Sequence, residues 1–227
     1  MTSTDRPRVA QGGPPLGVLA VVATALFIAG LAVSTALSGG HTYPSPFGAT
    51  DTVLGYFGTE HTAVRVSGFG QFASAVPLGI FAATASARLH NLGVRAPGAT
   101  IALMGGVVAA AMQALSGLVT WTLAQPAVTA DPTVVRALHH LGFAAGGPGT
   151  VVFLGLLVAG IAVPGLLVGL LPRGLAIGGL IIAAVAELST VTLLVPGAAV
   201  LLPIGRFGGF AWLIAAGFLL PLTRPRR

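Results

Sequence analysis

Ionisable side chains cluster at the start of one strongly apolar stretch of the sequence. In RALHHLGFAAGGPG, residues 136–149, Arg136 stands one helical turn before both His139 and His140. A lone carboxylate, Glu187, lies in the middle of another apolar stretch. Imidazole and carboxylate groups can exchange protons, and a guanidinium group can bind an anion. These residues predict a polar site in which Glu187 is the counter-charge and proton movement runs through His140 and Glu187.

Uncharged polar side chains form stripes on two further apolar stretches. Spacings of three, four and seven residues place each set on one helix face. The stripes are Ser67, Gln71 and Ser74, and Gln113, Ser116 and Thr120. The amides would hydrogen-bond a small ligand or ion, and arginines at the rim would favour an anion. The candidate ligand-binding residues are Glu187, His140, His139, Arg136, Gln71, Gln113, Arg65 and Arg206.

Two other interpretations of these residues stay open. Interhelical hydrogen bonds and a buried ion pair are an ordinary way to hold membrane helices together, which would make the chain a non-catalytic structural or assembly partner. Histidine and acidic side chains are also compatible with zinc or copper, as in a metal-dependent membrane enzyme. No metal-binding signature or catalytic motif supports the enzyme, so we predict no catalytic residue, bound metal or cofactor. Without cysteine or lysine, the chain excludes thiolate sites and Schiff bases.

The composition is that of a membrane protein, and the bilayer is its first predicted partner. Apolar residues make up 55% of the 227 residues, charged residues only 7%, and the mean hydropathy is +0.94. The net charge of +6 comes without a basic patch interleaved with aromatics, so no nucleic acid is expected. Glycine pairs spaced four apart are too common in so glycine-rich a chain to predict an oligomeric state.

Six apolar stretches have the length of about 20 residues that a membrane span requires. They cover approximately 15–38, 66–89, 98–123, 138–163, 174–195 and 204–222. Between the first two, Thr50 or Asp51 can cap a short helix with an apolar side, which would lie on the membrane or over the bundle. The predicted fold is therefore all-α: a polytopic six-transmembrane-helix bundle with a short interfacial helix after the first span. Pro148, among glycines, predicts a kink or break just below His140.

The arginines predict the orientation in the cell membrane. With the N-terminus inside, eight of the eleven arginines face the cytoplasm and three face out, which is the bias of the positive-inside rule. Both termini are then cytoplasmic. The N-terminal tail is 1–14, the membrane domain is 15–222 with an extracytoplasmic segment at about 39–65, and the basic C-terminal tail is 223–227. The polar stripes, the histidines and Glu187 fall in the outer half of the membrane.

Three stretches carry a resemblance to a known family. VLGYFGTEHTAVRVSGFGQFASAVPLGIFAATASARL at 53–89, LLPRGLAIGGL at 170–180 and LPIGRFGGFAWLIAAGFLLP at 202–221 resemble the corresponding helices of bacterial, actinobacterial-type multi-spanning proteins. That family is classed as a domain of unknown function. The resemblance implies a small integral membrane protein and carries no catalytic residue over to this chain.

Overall fold

The computed structural model describes residues 13–223, and within that range it contains helices, short loops and no strand. Most of the predicted tails, residues 1–12 and 224–227, lies outside the described residues. The α-helices are α1 Leu16–Leu37, α2 Thr50–Thr59, α3 His61–Asn91, α4 Gly98–Leu123, α5 Pro126–Thr129, α6 Pro132–Ala144, α7 Thr150–Leu167, α8 Arg173–Leu188 and α9 Leu201–Leu219. A π-helical turn, Ala145–Gly149, joins α6 to α7, and the 3₁₀ turns Ser189–Leu193 and Pro196–Val200 lie between α8 and α9.

Six helical segments are long and apolar enough to cross a membrane, which confirms the predicted polytopic bundle. They are Leu16–Leu37, His61–Asn91, Gly98–Leu123, Pro132–Leu167, Arg173–Leu193 and Pro196–Leu219. The predicted bounds agree closely for the first and third spans. The second and fourth helices extend several residues beyond their predicted apolar cores, because helical structure continues where hydropathy falls.

The spans pack in chain order and close into a ring. α3 lies between α1 and α4, α4 contacts α7, α7 contacts α8, and α9 contacts both α8 and α1. Small residues permit the close approaches: the Cα atoms of Gly30 and Gly70 meet where α1 crosses α3, and Gly160 of α7 faces the backbone of α4 at Ala102. A core of leucine, alanine and phenylalanine side chains fills the ring away from α2. The end that carries α2 is therefore where space for a site is left.

The short helix α2 lies over the bundle. Val53 and Phe57 are completely buried, and they pack with Val64, Leu123 and Val135 of the neighbouring helices. The prediction that Thr50 or Asp51 caps this helix was wrong, because the helix follows Ala49 and no side chain bonds its first backbone N–H groups. The Thr50 hydroxyl instead accepts a hydrogen bond from Arg136 at 2.7 Å.

The fourth span is interrupted where Pro148 and its glycines predicted a kink. Between α6 and α7 the backbone widens into the π-helical turn, in which Gly147 has non-helical angles of φ −77° and ψ −105°. Proline has no N–H, so Pro148 cannot donate a hydrogen bond to the Ala144 carbonyl in the preceding turn. The Thr150 hydroxyl bonds the Ala145 carbonyl at 2.9 Å. The next carbonyl, that of Gly146, faces the interior of the ring.

Candidate ligand-binding site

A cavity of about 370 Å³ opens at the α2 end of the ring. Its walls come from α1, α3, α4, α6, α9 and the π-helical turn, and a strap formed by residues 43–46 covers it. The residues that line it are Phe27, Leu31, Tyr43, Pro44, Ser45, Pro46, Ser67, Gln71, Ser116, Thr120, His139, Gly142, Phe143, Gly146, Gly147, Leu202, Pro203, Arg206 and Phe207. Three of the predicted candidates line this cavity, namely Gln71, His139 and Arg206. Three more residues of the predicted stripes line it with them, namely Ser67, Ser116 and Thr120.

Arg206 is the charged residue of this cavity. It is the sixth residue of α9, about 7.5 Å along the axis from Leu201. Its Nη2 donates a hydrogen bond to the Gly146 carbonyl, and its Cζ lies 5.0 Å from the centre of the Phe27 ring. A carbonyl dipole and an aromatic face each attract a cation, but neither neutralises it. No acidic side chain is found among the described residues that line the cavity.

The two predicted polar stripes meet on one wall of the cavity. Ser116 donates a hydrogen bond to Gln71 Oε1 at 2.9 Å and lies 3.0 Å from the Gly142 carbonyl. Gln71 Nε2 donates to Ser67 Oγ at 3.3 Å. This chain of hydrogen bonds joins α3, α4 and α6, so these groups hold the wall together and also face the cavity.

His139 fixes the strap over the cavity. It is the inward-facing histidine of the pair, 2% exposed, and its Nε2 lies 3.2 Å from the Pro44 carbonyl. The rings of Tyr43 and Phe57 stand edge-on to the imidazole at 5.6 and 5.0 Å. Burial raises the pKa of the Tyr43 phenol, and a hydrogen bond with the Thr120 side chain opposes this shift. The phenol is therefore a neutral polar group in the roof.

Gln113, the other predicted amide, lies below the cavity in the interface between α3 and α4. Its side chain is buried, and its Nε2 donates a hydrogen bond to Ser74 Oγ. Gln113 Oε1 is buried without a hydrogen-bond partner. Neither Gln113 nor Ser74 lines the cavity, so this pair fits the role of interhelical contact.

Three further candidates lie at the same end of the bundle but outside the cavity. Arg65 is exposed on α3. Arg136 reaches sideways to Thr50 and ties α6 to α2. His140 is exposed, and its ring centre is 6.1 Å from that of Phe47. The adjacent histidines diverge because neighbouring residues on a helix point about 100° apart.

The structure corrects the expected pairing of Glu187. No hydrogen bond reaches its Oε1 from the residues described, although this atom is buried, and the side chain does not line the cavity. The carboxylate turns toward α7, where a Cβ added to Gly155 would lie 3.3 Å from Oε1. The same added Cβ would overlap Ala186 Cβ, so Gly155 permits the close approach of α8 to α7 beside the carboxylate. The role of Glu187 in ligand binding stays a prediction.

Sequence reasoning missed the strap and the aromatic floor of the cavity. Tyr43 and Pro44 belong to YPSPF, a short aromatic and proline-containing segment between α1 and α2 that carried a weak signal of its own. Phe27 is one of many apolar residues of α1, and nothing in the sequence separates it from the others. The position of Arg206 between glycines, in GRFGG, was a usable signal, since glycine neighbours let other helices come close.

The histidines at this end do not gather with acidic residues. Within residues 13–223, no group of three or more histidine, cysteine, aspartate or glutamate side chains is arranged to hold a metal ion. The cavity instead offers one guanidinium, hydroxyls, an amide and an imidazole, which is chemistry for binding an oxyanion.

Comparison of the chain with protein-family models, curated proteins and solved structures gives no match. The assignment of the site therefore rests on the geometry described above.

Proposed function

We propose that this chain is a multi-pass protein of the cell membrane, with both termini in the cytoplasm, that binds a small ligand or ion in the cavity at its outer side. The observation that carries the proposal is the placement of Arg206 in a cavity that no carboxylate among residues 13–223 lines. A charge inside a membrane protein is costly unless it is paired, and such residues are the ones most often used for function. A negatively charged ligand would supply the missing partner.

The surroundings of Arg206 favour an oxyanion. A guanidinium has five N–H donors in a fixed plane and suits carboxylate and phosphate groups. The nearby hydroxyls of Ser67, Ser116 and Thr120 and the amide of Gln71 can hydrogen-bond the remaining oxygen atoms. The resemblance to the bacterial family of multi-spanning proteins agrees with an integral membrane protein and adds no ligand.

The alternative is a structural or assembly partner whose polar groups only join helices. The hydrogen bond between Gln113 and Ser74 is the observation that favours it, because this pair has no access to the cavity. If the alternative holds for the whole bundle, the cavity residues should be as closed to water-soluble reagents as Ser74.

Cysteine labelling separates the two, because the chain has no cysteine of its own. Ser67→Cys introduces a thiol in the cavity, and Ser74→Cys, two helical turns further along α3, introduces one at a closed contact. Intact cells are treated with the membrane-impermeant reagents sulfonatoethyl methanethiosulfonate, which is negative, and trimethylammonioethyl methanethiosulfonate, which is positive. The rate at which each reagent modifies the protein thiol is divided by its rate with a free thiol in solution, which removes the difference in intrinsic reactivity between the two reagents.

We expect Ser67→Cys to react in intact cells, faster with the negative reagent, and Ser74→Cys to stay unmodified. Equal protection of both thiols, in intact and in opened cells, would support the structural alternative. A reaction of Ser67→Cys that requires opened cells would reverse the proposed orientation. A preference for the positive reagent would contradict an anion site.

A further inference from the structure

The cavity has its mouth on the side of the bundle. Among its lining residues, those exposed at the surface of the chain are Leu31 of α1, Ser45 of the strap, and Pro203 and Phe207 of α9. Leu31 is 40% exposed and Phe207 is 42% exposed. In a membrane-spanning bundle, apolar side chains exposed on the outer face of a span meet acyl chains. The opening between α1 and α9 therefore faces lipid.

The strap narrows the side of the cavity toward water, where Ser45 lines the cavity and is exposed. Pro44 is held by its carbonyl to His139, Tyr43 packs edge-on against the His139 and Phe57 rings, and Pro46 is buried. A long-chain ligand that came from the aqueous side would have to displace these contacts, whereas a small water-soluble reagent has the exposed edge at Ser45 as a way in. A ligand that came from the bilayer would pass between Leu31, Pro203 and Phe207.

The interior is polar at one side and apolar toward the mouth. Ser67, Gln71 and the Arg206 guanidinium supply the polar side. The exposed side chains of Leu31 and Phe207 line the route to the bilayer. A ligand that matches both parts has one negative charge and one apolar chain. The single guanidinium sets the charge, and one of its N–H groups is already bonded to Gly146.

We infer that the ligand is a single-chain amphiphile with a terminal carboxylate, a long-chain fatty acid, that enters between α1 and α9. This inference rests on the proposed function and names its ligand class. The carboxylate lies at the guanidinium of Arg206, and the chain passes Phe207 and Leu31 into the bilayer. A phospholipid fits less well, because its phosphate carries substituents on both sides, whereas a carboxylate ends its chain and can meet the guanidinium directly.

Photolabelling of the full-length protein tests this directly. The protein is placed in nanodiscs of phosphatidylcholine with palmitate that carries a diazirine in its chain, and the labelled residues are mapped by mass spectrometry. The matched background probe is hexadecanol with the same diazirine, which has the chain without the charge. Competitors are unlabelled palmitate, acetate and phosphatidylglycerol.

We expect the palmitate probe to concentrate on residues 27–31 and 203–207, and unlabelled palmitate to remove that label. In Arg206→Gln, the concentration of unlabelled palmitate that removes half of the label should rise by about tenfold or more, as expected for loss of a charge-assisted hydrogen bond. Arg65→Gln, which removes an exposed arginine outside the cavity, should leave it unchanged. Arg206→Lys keeps the positive charge and should therefore retain part of the competition by unlabelled palmitate.

If the palmitate probe labels the same broad set of residues as the hexadecanol probe, the inference is overturned. This comparison requires only the protein without substitutions. Competition by acetate as strong as by palmitate would also overturn it, in favour of a water-soluble anion. Phosphatidylglycerol that competes better than palmitate would replace the fatty acid by a phospholipid. None of these outcomes affects the Ser67→Cys experiment, which contains no added lipid, so failure of the proposed function itself is seen separately.

Discussion

Arg206 and Glu187 are charged residues within the last two spans, and their surroundings differ in every respect. Arg206 faces the widened turn of the fourth span, where it meets the Gly146 carbonyl, the Phe27 ring and an open cavity. Glu187 faces a regular part of α7 at Gly155, and its Oε1 finds no hydrogen-bond partner in the part of the chain that the structure describes. A charged residue inside a span thus becomes part of a site when the helix that faces it offers an accessible polar group and an open space. Four substitutions test whether the surroundings of the two residues set their roles.

The largest expected effect is on the charge preference of the cavity. In Ser67→Cys, the additional change Arg206→Gln should lower the ratio of negative to positive reagent rates by about tenfold or more. A unit charge within about 10 Å contributes more than about 1.5 kcal/mol at an effective dielectric constant of about 20. The same thiol with Arg65→Gln is the control. An unchanged ratio would mean that Arg206 does not set the field of the cavity.

The next effect concerns the turn that supports Arg206. A Cβ at Gly146 would overlap Ser116 Oγ, so Gly146→Ala should destabilise the protein by about 1–3 kcal/mol, as overpacking does. Gly178 of α8 has open space around its Cα, and Gly178→Ala should be neutral or stabilising. Thermal unfolding in detergent gives both Tm values. Equal Tm changes for the two variants would argue against a tightly fitted turn.

A smaller effect is expected at the closed amide of the α3–α4 interface. Gln113→Leu removes the hydrogen bond to Ser74 and should lower the stability by about 0.5–1 kcal/mol, the usual worth of one interhelical hydrogen bond in a membrane. The charge preference at Ser67→Cys should not change, since Gln113 is outside the cavity. A changed preference would extend the site below the cavity floor.

The smallest effect is expected from Glu187→Gln. Because Oε1 has no partner to lose, this isosteric change should alter the stability by less than about 1 kcal/mol and leave the labelling of Ser67→Cys as it was. Thermal unfolding in detergent measures the stability, and the two methanethiosulfonate reagents measure the labelling of the thiol. A large loss of stability, or a lost preference for the negative reagent, would show that Glu187 is coupled to Arg206 despite its separate surroundings.

Much of the architecture could be predicted from the sequence, because lipid imposes simple rules. Apolar runs of the required length gave the six spans, and the spacing of Ser67, Gln71, Ser116 and Thr120 gave the faces on which helices α3 and α4 meet. Pro148 among glycines gave the position of the break in the fourth span. These are properties of single helices, and hydropathy and periodicity suffice to read them.

The partners of the charged residues could not be read in the same way. Glu187, near the middle of an apolar stretch, looked central, and Arg206, near the end of another, looked peripheral. The structure reverses this order. The π-helical turn presents the Gly146 carbonyl to Arg206 in the cavity, whereas the Glu187 carboxylate lies against α7 near Gly155, outside the cavity. The strap at residues 43–46 also depends on contacts made across long stretches of chain, such as that between Pro44 and His139. The membrane-crossing segments and their polar faces follow from the chemistry of each helix in lipid, and the amino-acid sequence is enough to assign them. The charge that meets the cavity depends on how the helices are turned toward one another, and it is seen only once they are packed.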